Sequence, residues 1–196
     1  MKRKIKVTRI TNETNISLTL GIDGGGKRTI ETPLGFLNHM LDLFAKHGLF
    51  DLTVVAKGDT IIDDHHTTED IGIVLGDAFA QALGDKKDIN RYGFFILPMD
   101  ETLVTIALDL SGRYSFRFDC AFSRETVGDM STELVEHFFD AFAQNAKMNL
   151  YIKVENGKND HHKIEGIFKA VAKSLRIACE IDPRAKNQIP STKGKL

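Results

Sequence analysis

One six-residue constellation occurs twice in this chain, as Asp64-His65-His66-Thr67-Thr68-Glu69 and as Asp160-His161-His162-Lys163-Ile164-Glu165. The chain holds only 7 histidines in 196 residues. At the frequencies of His and Glu, a random sequence of this length would carry about 0.01 copies of His-His-x-x-Glu. Two copies therefore constrain the fold, which must present the same local chemistry twice.

The repeat extends beyond the motif. Leu37-Asn38-His39-Met40-Leu41-Asp42-Leu43-Phe44-Ala45 aligns with Val135-Glu136-His137-Phe138-Phe139-Asp140-Ala141-Phe142-Ala143, with the His, the Asp and the Phe-Ala coincident at an offset of 98. In each copy the apolar positions fall at i, i+3, i+4 and i+7, the buried stripe of an amphipathic helix. His39 and His137 lie on the flanks of those stripes. The doublets follow at an offset of 96, and each opens a further helical pattern, one running to about Leu83 and the other to about Cys179. An internal duplication is the simplest reading.

Runs of period two lie between the helices and predict strands at 4–9, 16–20, 52–56, 94–98, 104–110, 114–118 and 150–154. Turn residues separate them, among them Lys57-Gly58-Asp59, Ser111-Gly112-Arg113 and Asn156-Gly157. Gly24-Gly25-Gly26 lacks the context of a nucleotide loop and reads as a hairpin turn. The expected fold is α+β and internally duplicated, each half a mostly antiparallel sheet covered on one face by two helices. The expected halves are 1–92 and 93–196, which together form one functional unit.

Composition excludes several classes. A net charge of −1 gives no reason to expect nucleic acid or an anionic membrane as partner. The basic start Met1-Lys2-Arg3-Lys4 precedes no apolar run of signal-peptide length, and no stretch approaches the roughly 18 apolar residues of a membrane span. Cys120 and Cys179 are far apart, lack metal spacing and read as buried free thiols, so a cytoplasmic location is expected. No Gly-x-Ser-x-Gly or His-Glu-x-x-His pattern is present, which argues against common serine hydrolases and zincin proteases.

The doublets read as metal ligands. On a helix, residues three or four apart share a face, so His65 or His66 with Glu69, and His161 or His162 with Glu165, can grip one ion. Adjacent histidines diverge by about 100° at 3.6 residues per turn, so each doublet suits one imidazole per ion. Adding His39 and His137 makes eight candidates, six His and two Glu, or three imidazoles and one carboxylate for each of two ions. Such sites with open positions suit Mn²⁺, Fe²⁺ or Zn²⁺ in a catalytic role, unlike a structural zinc closed by thiolates. Lys169, four residues past Glu165, faces the same site. His47 closes a helix, where it can interact with the C-terminal dipole.

The chain resembles the monofunctional imidazoleglycerol-phosphate dehydratases of histidine biosynthesis. The resemblance is carried by Gly35-Phe36-Leu37-Asn38-His39-Met40-Leu41, Asp64-His65-His66-Thr67-Thr68-Glu69-Asp70, Pro98-Met99-Asp100-Glu101, Asp109-Leu110-Ser111-Gly112-Arg113, Asn159-Asp160-His161-His162, Phe168-Lys169-Ala170 and Pro190-Ser191-Thr192-Lys193-Gly194. Two departures are Asn38, where Asp is commoner, and Gly166, where Ala is commoner. Asn38 is expected to tune a hydrogen bond at His39 or its neighbours.

The resemblance implies two Mn²⁺ per active site, sites built between subunits, and a 24-subunit closed homo-oligomer. It implies loss of water from D-erythro-imidazoleglycerol phosphate to give imidazole acetol phosphate. In that chemistry the deprotonated imidazole expels the adjacent hydroxyl, and a diazafulvene-like intermediate then makes the neighbouring C–H acidic. It assigns Arg91, Arg113, Ser191 and Lys193 to the substrate phosphate, Glu13 to proton transfer, and His47 to the substrate's vicinity. A dinuclear phosphoester hydrolase is the rival reading and would require bridging aspartates.

Overall fold

The computed structural model describes residues 3–196, so Met1 and Lys2, the head of the basic start, lie outside the described residues. The period-two runs form strands because alternate side chains leave the pleat on opposite faces and only one face is buried. Strands β1 (Lys4–Ile10), β2 (Thr14–Gly21), β3 (Arg28–Glu31) and β4 (Asp51–Gly58) form one sheet in the order β1-β2-β4-β3. Strands β5 (Tyr92–Met99), β6 (Thr102–Asp109), β7 (Ser115–Asp119) and β10 (Asn149–Asn156) form another in the order β5-β6-β10-β7. A two-stranded ribbon, β8 (Thr126–Val127) with β9 (Met130–Ser131), lies in the connection that follows β7. Ile16, Leu18, Leu20, Leu52 and Val54 of the first sheet, and Val104, Ile106, Leu150 and Ile152 of the second, are buried.

Each sheet has three antiparallel neighbours in a row and one short edge strand, β3 or β7, running parallel to β4 or β10. β3 is a finding that hydropathy did not signal. It has four residues, Arg-Thr-Ile-Glu, only one of them apolar, and it sits at an edge with little to bury. Its pairing corrects the reading of Gly24-Gly25-Gly26 as a hairpin turn. β4 inserts between β2 and β3, so the glycines carry the chain past an intervening strand. A Cβ on Gly24 would lie 2.4 Å from the Asp51 amide nitrogen, which explains the small residue.

Helices α1 (Gly35–Gly48), α2 (His65–Leu83), α3 (Leu134–Ala146) and α4 (Asp160–Cys179) form the inner layers between the sheets. α2 covers β1 and β2, and α4 covers β5 and β6. The duplication is visible in the backbone as well. α1 and α3 both end on a left-handed non-glycine residue, Leu49 and Lys147, whose successors Phe50 and Met148 donate backwards to Ala45 and Ala143.

Helices pair across the halves, α1 with α4 and α2 with α3, and both pairs run parallel. Rings from several elements meet in the resulting core, with Phe44, Phe50, Phe79 and Phe142 in one group and Phe138, Phe139 and Phe168 in another. The two halves thus share one core. Glycines set the closest approach, because a Cβ on Gly72 would stand 2.7 Å from the Phe138 carbonyl and one on Gly76 2.5 Å from that of Phe142. Among the described residues no helix is long and apolar enough to cross a membrane. Cys179 is buried as expected, but Cys120 is only partly so, since β7 ends at Asp119 on the sheet edge.

This packing gives a first prediction. Gly76→Ala places a methyl against helix backbone and should cost about 1–3 kcal/mol, the usual range for overpacking. Chemical denaturation should show a lowered midpoint, whereas Gly25→Ala, with open space around it, should leave the midpoint nearly unchanged.

Candidate metal and substrate site

All four helices begin at the same end of the molecule, because each follows a segment that leads to that pole of the sheets. Their N-terminal amides therefore gather there, and carboxylates answer them. Asp129 accepts from Gly35 N at 2.6 Å and Phe36 N at 2.8 Å, capping α1 from another part of the chain. Asn159 caps α4 by accepting from His161 N at 3.0 Å, and Asp63 accepts from His65 N at 2.9 Å at the start of α2. Every histidine of the repeated motifs stands at this pole.

The fold assembles one compact triad there and, from the duplicated residues, a looser counterpart. His39, His161 and Glu165 offer ligand atoms that all lie within 4.8 Å of one another. In this triad Glu165 Oε2 is 3.1 Å from His161 Nε2 and 3.5 Å from His39 Nε2. In the second, the rings of His65 and His137 have centroids 5.2 Å apart, and His65 Nε2 is 3.9 Å from Glu69 Oε2. Each triad takes one histidine from one half and a histidine–glutamate pair from the other. Of the two helical spacings open in the sequence, both halves use i, i+4. Two imidazoles and a carboxylate make a donor set fit for Mn²⁺ or its neighbours.

The second histidine of each doublet points elsewhere. Centroid separations of 6.2 Å and steep interplanar angles of 78° and 87° separate His65 from His66 and His161 from His162. His66 Nδ1 lies 3.1 Å from both oxygens of Asp59, and its Nε2 faces Glu13 at 3.8 Å. His162 Nδ1 lies 2.9 Å from Glu101 Oε2, and its Nε2 faces Asp100 at 3.8 Å. Hydrogen bonds to Asp59 and Glu101 raise the pKa of the two imidazoles above the ordinary value. His162 together with the amides of Asn159 and Lys158 lowers Glu101 to about 2.

Other charges hold this pole together. Asp64 accepts from Ser131 N and Oγ, and Asp160 accepts from Ser123 N, Ser123 Oγ, Arg124 N and Lys163 Nζ. The two motif aspartates therefore clasp opposite ends of the segment 123–131. Asp70 is likewise spent, on Thr14 and Arg9. None of the three is left to bridge two ions, as the hydrolase reading would require. Lys169 Nζ pairs with Glu165, as its spacing predicted. Burial comes first among the influences on Glu165 and raises its pKa, but Lys169 and the two histidines outweigh it and leave it lowered. His47 sits among Lys169, Lys173 and Glu165, and burial followed by the two lysines lowers its pKa. His47 lies in the last turn of α1, so the helix C-terminus favours its protonated ring while burial and the lysines oppose it.

Asn38 brackets the backbone of Thr32, accepting from its N–H and donating to its carbonyl, each at 3.1 Å. Both of these bonds go to Thr32 rather than to His39. At Gly166 a Cβ would meet Val104 Cγ2 at 2.9 Å, so this core is fitted to glycine.

The four phosphate candidates gather at the opposite pole. Arg91 forms a bidentate pair with Asp109, at 2.7 and 2.9 Å, and donates at 2.8 Å to the carbonyl of Pro190, beside Ser191. Three of the five N–H donors of its guanidinium are therefore engaged within the chain. Ser191 Oγ accepts from Lys193 N at 3.2 Å. The tail then reaches Leu196, whose backbone lies against Gly112, next to the exposed Arg113. β5 joins the poles, with Tyr92 next to Arg91 and Met99 two residues before Glu101. Its eight residues span about 23 Å at 3.3 Å per residue.

Sequence reasoning missed Asp59, Glu101, Asp109 and Asp129. Glu101 was visible only as part of Pro98-Met99-Asp100-Glu101, and nothing in spacing pairs Asp129 with a helix that starts 94 residues earlier.

Similarity to known proteins extends over nearly the whole of this chain. The family model for imidazoleglycerol-phosphate dehydratase matches residues 32–175. The chain is similar to the imidazoleglycerol-phosphate dehydratase of Bacillus pumilus, with 58% identity over 99% of this chain and 100% of that one. It is 53% identical to that of Methylorubrum extorquens, again over 99% and 100%. The crystal structure of the Staphylococcus aureus enzyme superposes with a TM-score of 0.83 at 41% identity, covering 91% of this chain and 99% of its own. That of the Pyrococcus furiosus enzyme gives 0.83 at 32%, covering 97% and 100%.

The clasp at Asp160 yields a prediction. Burial alone would raise its pKa, but Lys163, Ser123 and the amides of Ser123 and Arg124 bring the carboxyl down from 3.8 to about 2. A depressed pKa contributes stability that is present above about 4 and lost as pH falls toward 2. Asp160→Asn should destabilise the fold by about 3 kcal/mol at neutral pH, since it leaves a buried ammonium without its partner. The gap from wild type should close as acid protonates Asp160, as denaturation curves taken from pH 7 to pH 2.5 would show.

Proposed function

This chain belongs to the imidazoleglycerol-phosphate dehydratase family of carbon–oxygen lyases in histidine biosynthesis, and on that premise we propose a Mn²⁺-dependent dehydration of D-erythro-imidazoleglycerol phosphate to imidazole acetol phosphate. The observation that carries the reading is the compact His39–His161–Glu165 triad together with its looser counterpart at His65, His137 and Glu69. His39, His161 and Glu165 would hold one Mn²⁺, and His137, His65 and Glu69 the other. His66 and His162 would complete both sets from neighbouring copies, because each turns away from its own chain's triads. When bound, the ions supply Lewis acidity to the substrate's ring and hydroxyl and orient both.

The residues of the chain divide the remaining work. Glu13 is half-exposed beside His66, and its carboxylate accepts no hydrogen bond among the described residues. Its counterpart in the duplicated half is Glu101, which follows β5 as Glu13 follows β1. Glu101 is held by His162 and two backbone amides, so it cannot move a proton freely. Glu13 is therefore the proton carrier of the pair. Lys169 beside Glu165 and His47 deeper along α1 are positioned to line the substrate's path.

Distance between the poles supports a site shared by chains. Ring to phosphate, the substrate extends roughly 10 Å at ordinary bond lengths, while β5 alone separates Arg91 from the triad pole by more than twice that. Arg113, Ser191, Lys193 and the outward edge of Arg91 therefore grip the phosphate of a substrate that lies on another copy's histidines. A closed homo-oligomer, the 24-subunit form expected from resemblance, satisfies both ends at once.

Complementation tests this arrangement. His162→Ala and Lys193→Ala should each be nearly inactive, and reassembling equal amounts together with Mn²⁺ should make intact sites in about a quarter of cases, because symmetric assembly draws chains at random. An absence of regained turnover with imidazoleglycerol phosphate would place both residues in one chain's site and overturn the sharing. Glu13→Gln should lower kcat by about 10²–10⁴-fold, the usual contribution of a positioned base, with bound Mn²⁺ unchanged. A near-normal kcat would remove Glu13 from the proton path.

A further inference from the structure

We propose that Asp59 and Glu101 are positioning residues that set the tautomer of His66 and His162, and that they do so by unequal means in the two halves. The proposal rests on the reading that both histidines ligate Mn²⁺. An ionised carboxylate only accepts hydrogen bonds, so the imidazole nitrogen facing it must carry the proton. At His66 both oxygens of Asp59 stand 3.1 Å from Nδ1, and at His162 Glu101 Oε2 stands 2.9 Å from Nδ1. Each ring therefore keeps its lone pair on Nε2, the edge turned outward for a metal. A hydrogen bond of this kind also fixes ring rotation and raises ligand basicity.

The two devices are not related by the duplication. Asp59 follows β4, in the turn before α2, whereas Glu101 lies between β5 and β6. Their freedom also differs. Among the described residues the Asp59 carboxylate takes no backbone donor, so either oxygen can serve His66. In Glu101, Oε1 is occupied by Asn159 N at 2.9 Å and Lys158 N at 3.2 Å, which leaves Oε2 alone for His162. Glu101 thereby ties the His162 ring to the start of α4, while Asp59 acts as a free-standing acceptor.

This asymmetry predicts opposite results for two isosteric changes. Asp59→Asn can turn its carbonyl oxygen to the His66 Nδ1–H and keep the tautomer. In Glu101→Gln the carbonyl oxygen is retained by the two amides, so the NH₂ faces Nδ1. The His162 proton must then move to Nε2 and close the metal edge.

Equilibrium dialysis with Mn²⁺ on the assembled protein reads the effect. Asp59→Asn should bind within about threefold of wild type, and Glu101→Gln should lose ten- to a hundredfold at one of the two ions, the range found for such outer carboxylates. Asp59→Leu, close in size but without an acceptor, should weaken the other ion by a similar factor. ¹⁵N spectra of histidine-labelled, metal-free protein should show His162 changing from Nδ1–H to Nε2–H in Glu101→Gln, and His66 unchanged in Asp59→Asn. Wild-type Mn²⁺ affinity in both Glu101→Gln and Asp59→Leu, or equal loss in Asp59→Asn and Glu101→Gln, would overturn the proposal. His162→Ala separates the levels of the argument. Full metal content in that variant would sink the ligand reading itself, whereas its loss beside an unaffected Glu101→Gln would sink only the positioning role.

Discussion

Parallel packing of helices across the two halves is the constraint on which the site depends. α1 lies on α4 and α2 on α3 because their apolar stripes can be buried only against one another and the sheets. Gly72 and Gly76 let backbone meet backbone at the second contact. Since every helix starts at the same pole, packing brings His39 beside His161 and Glu165, and His137 beside His65 and Glu69. Neither half could build a triad alone.

Seven carboxylates at this pole fall into three groups by what they touch. Asp64, Asp129 and Asp160 meet backbone amides and fasten the segment 123–131 to three helix starts. Glu69 and Glu165 face the imidazoles of the triads. Asp59 and Glu101 lie behind the second histidine of each doublet. The division is what an N-terminal pole demands, because unpaired amides and positive helix ends must be balanced before a cation can be held there. It also explains why the duplication is imperfect. Glu101 is tied to α4 while Glu13 stays free, so one copy of the turn glutamate carries structure and the other remains available for chemistry.

The opposite pole gives the molecule its direction. Arg91 is anchored by Asp109 and holds the tail at Pro190, which collects Ser191, Lys193 and Arg113 on one side. Under the proposed function, the histidines at one end and the arginines and tail at the other would be completed by other copies of the chain. That polarity, with the length of β5 as its measure, supports the shared site.

Much of this was legible in the sequence. The doubled His-His-x-x-Glu, the 98-residue offset between the flanking helices and the period-two runs determine the duplication, all four helices and most strands, because periodicity is a local property of the chain. The same repeat singles out all eight candidate ligands. Local pattern could not supply β3, whose polar edge position leaves no alternation, nor the insertion of β4 that turns the triple glycine from a hairpin into a crossover. Only the tertiary structure decided which histidine joins which glutamate, and that each triad crosses the halves. It alone made Arg91 an anchor of the tail and set Asp59 and Glu101 behind His66 and His162. These are contacts between residues remote in sequence, and they are chosen by how helices with buried stripes pack, which no single segment encodes.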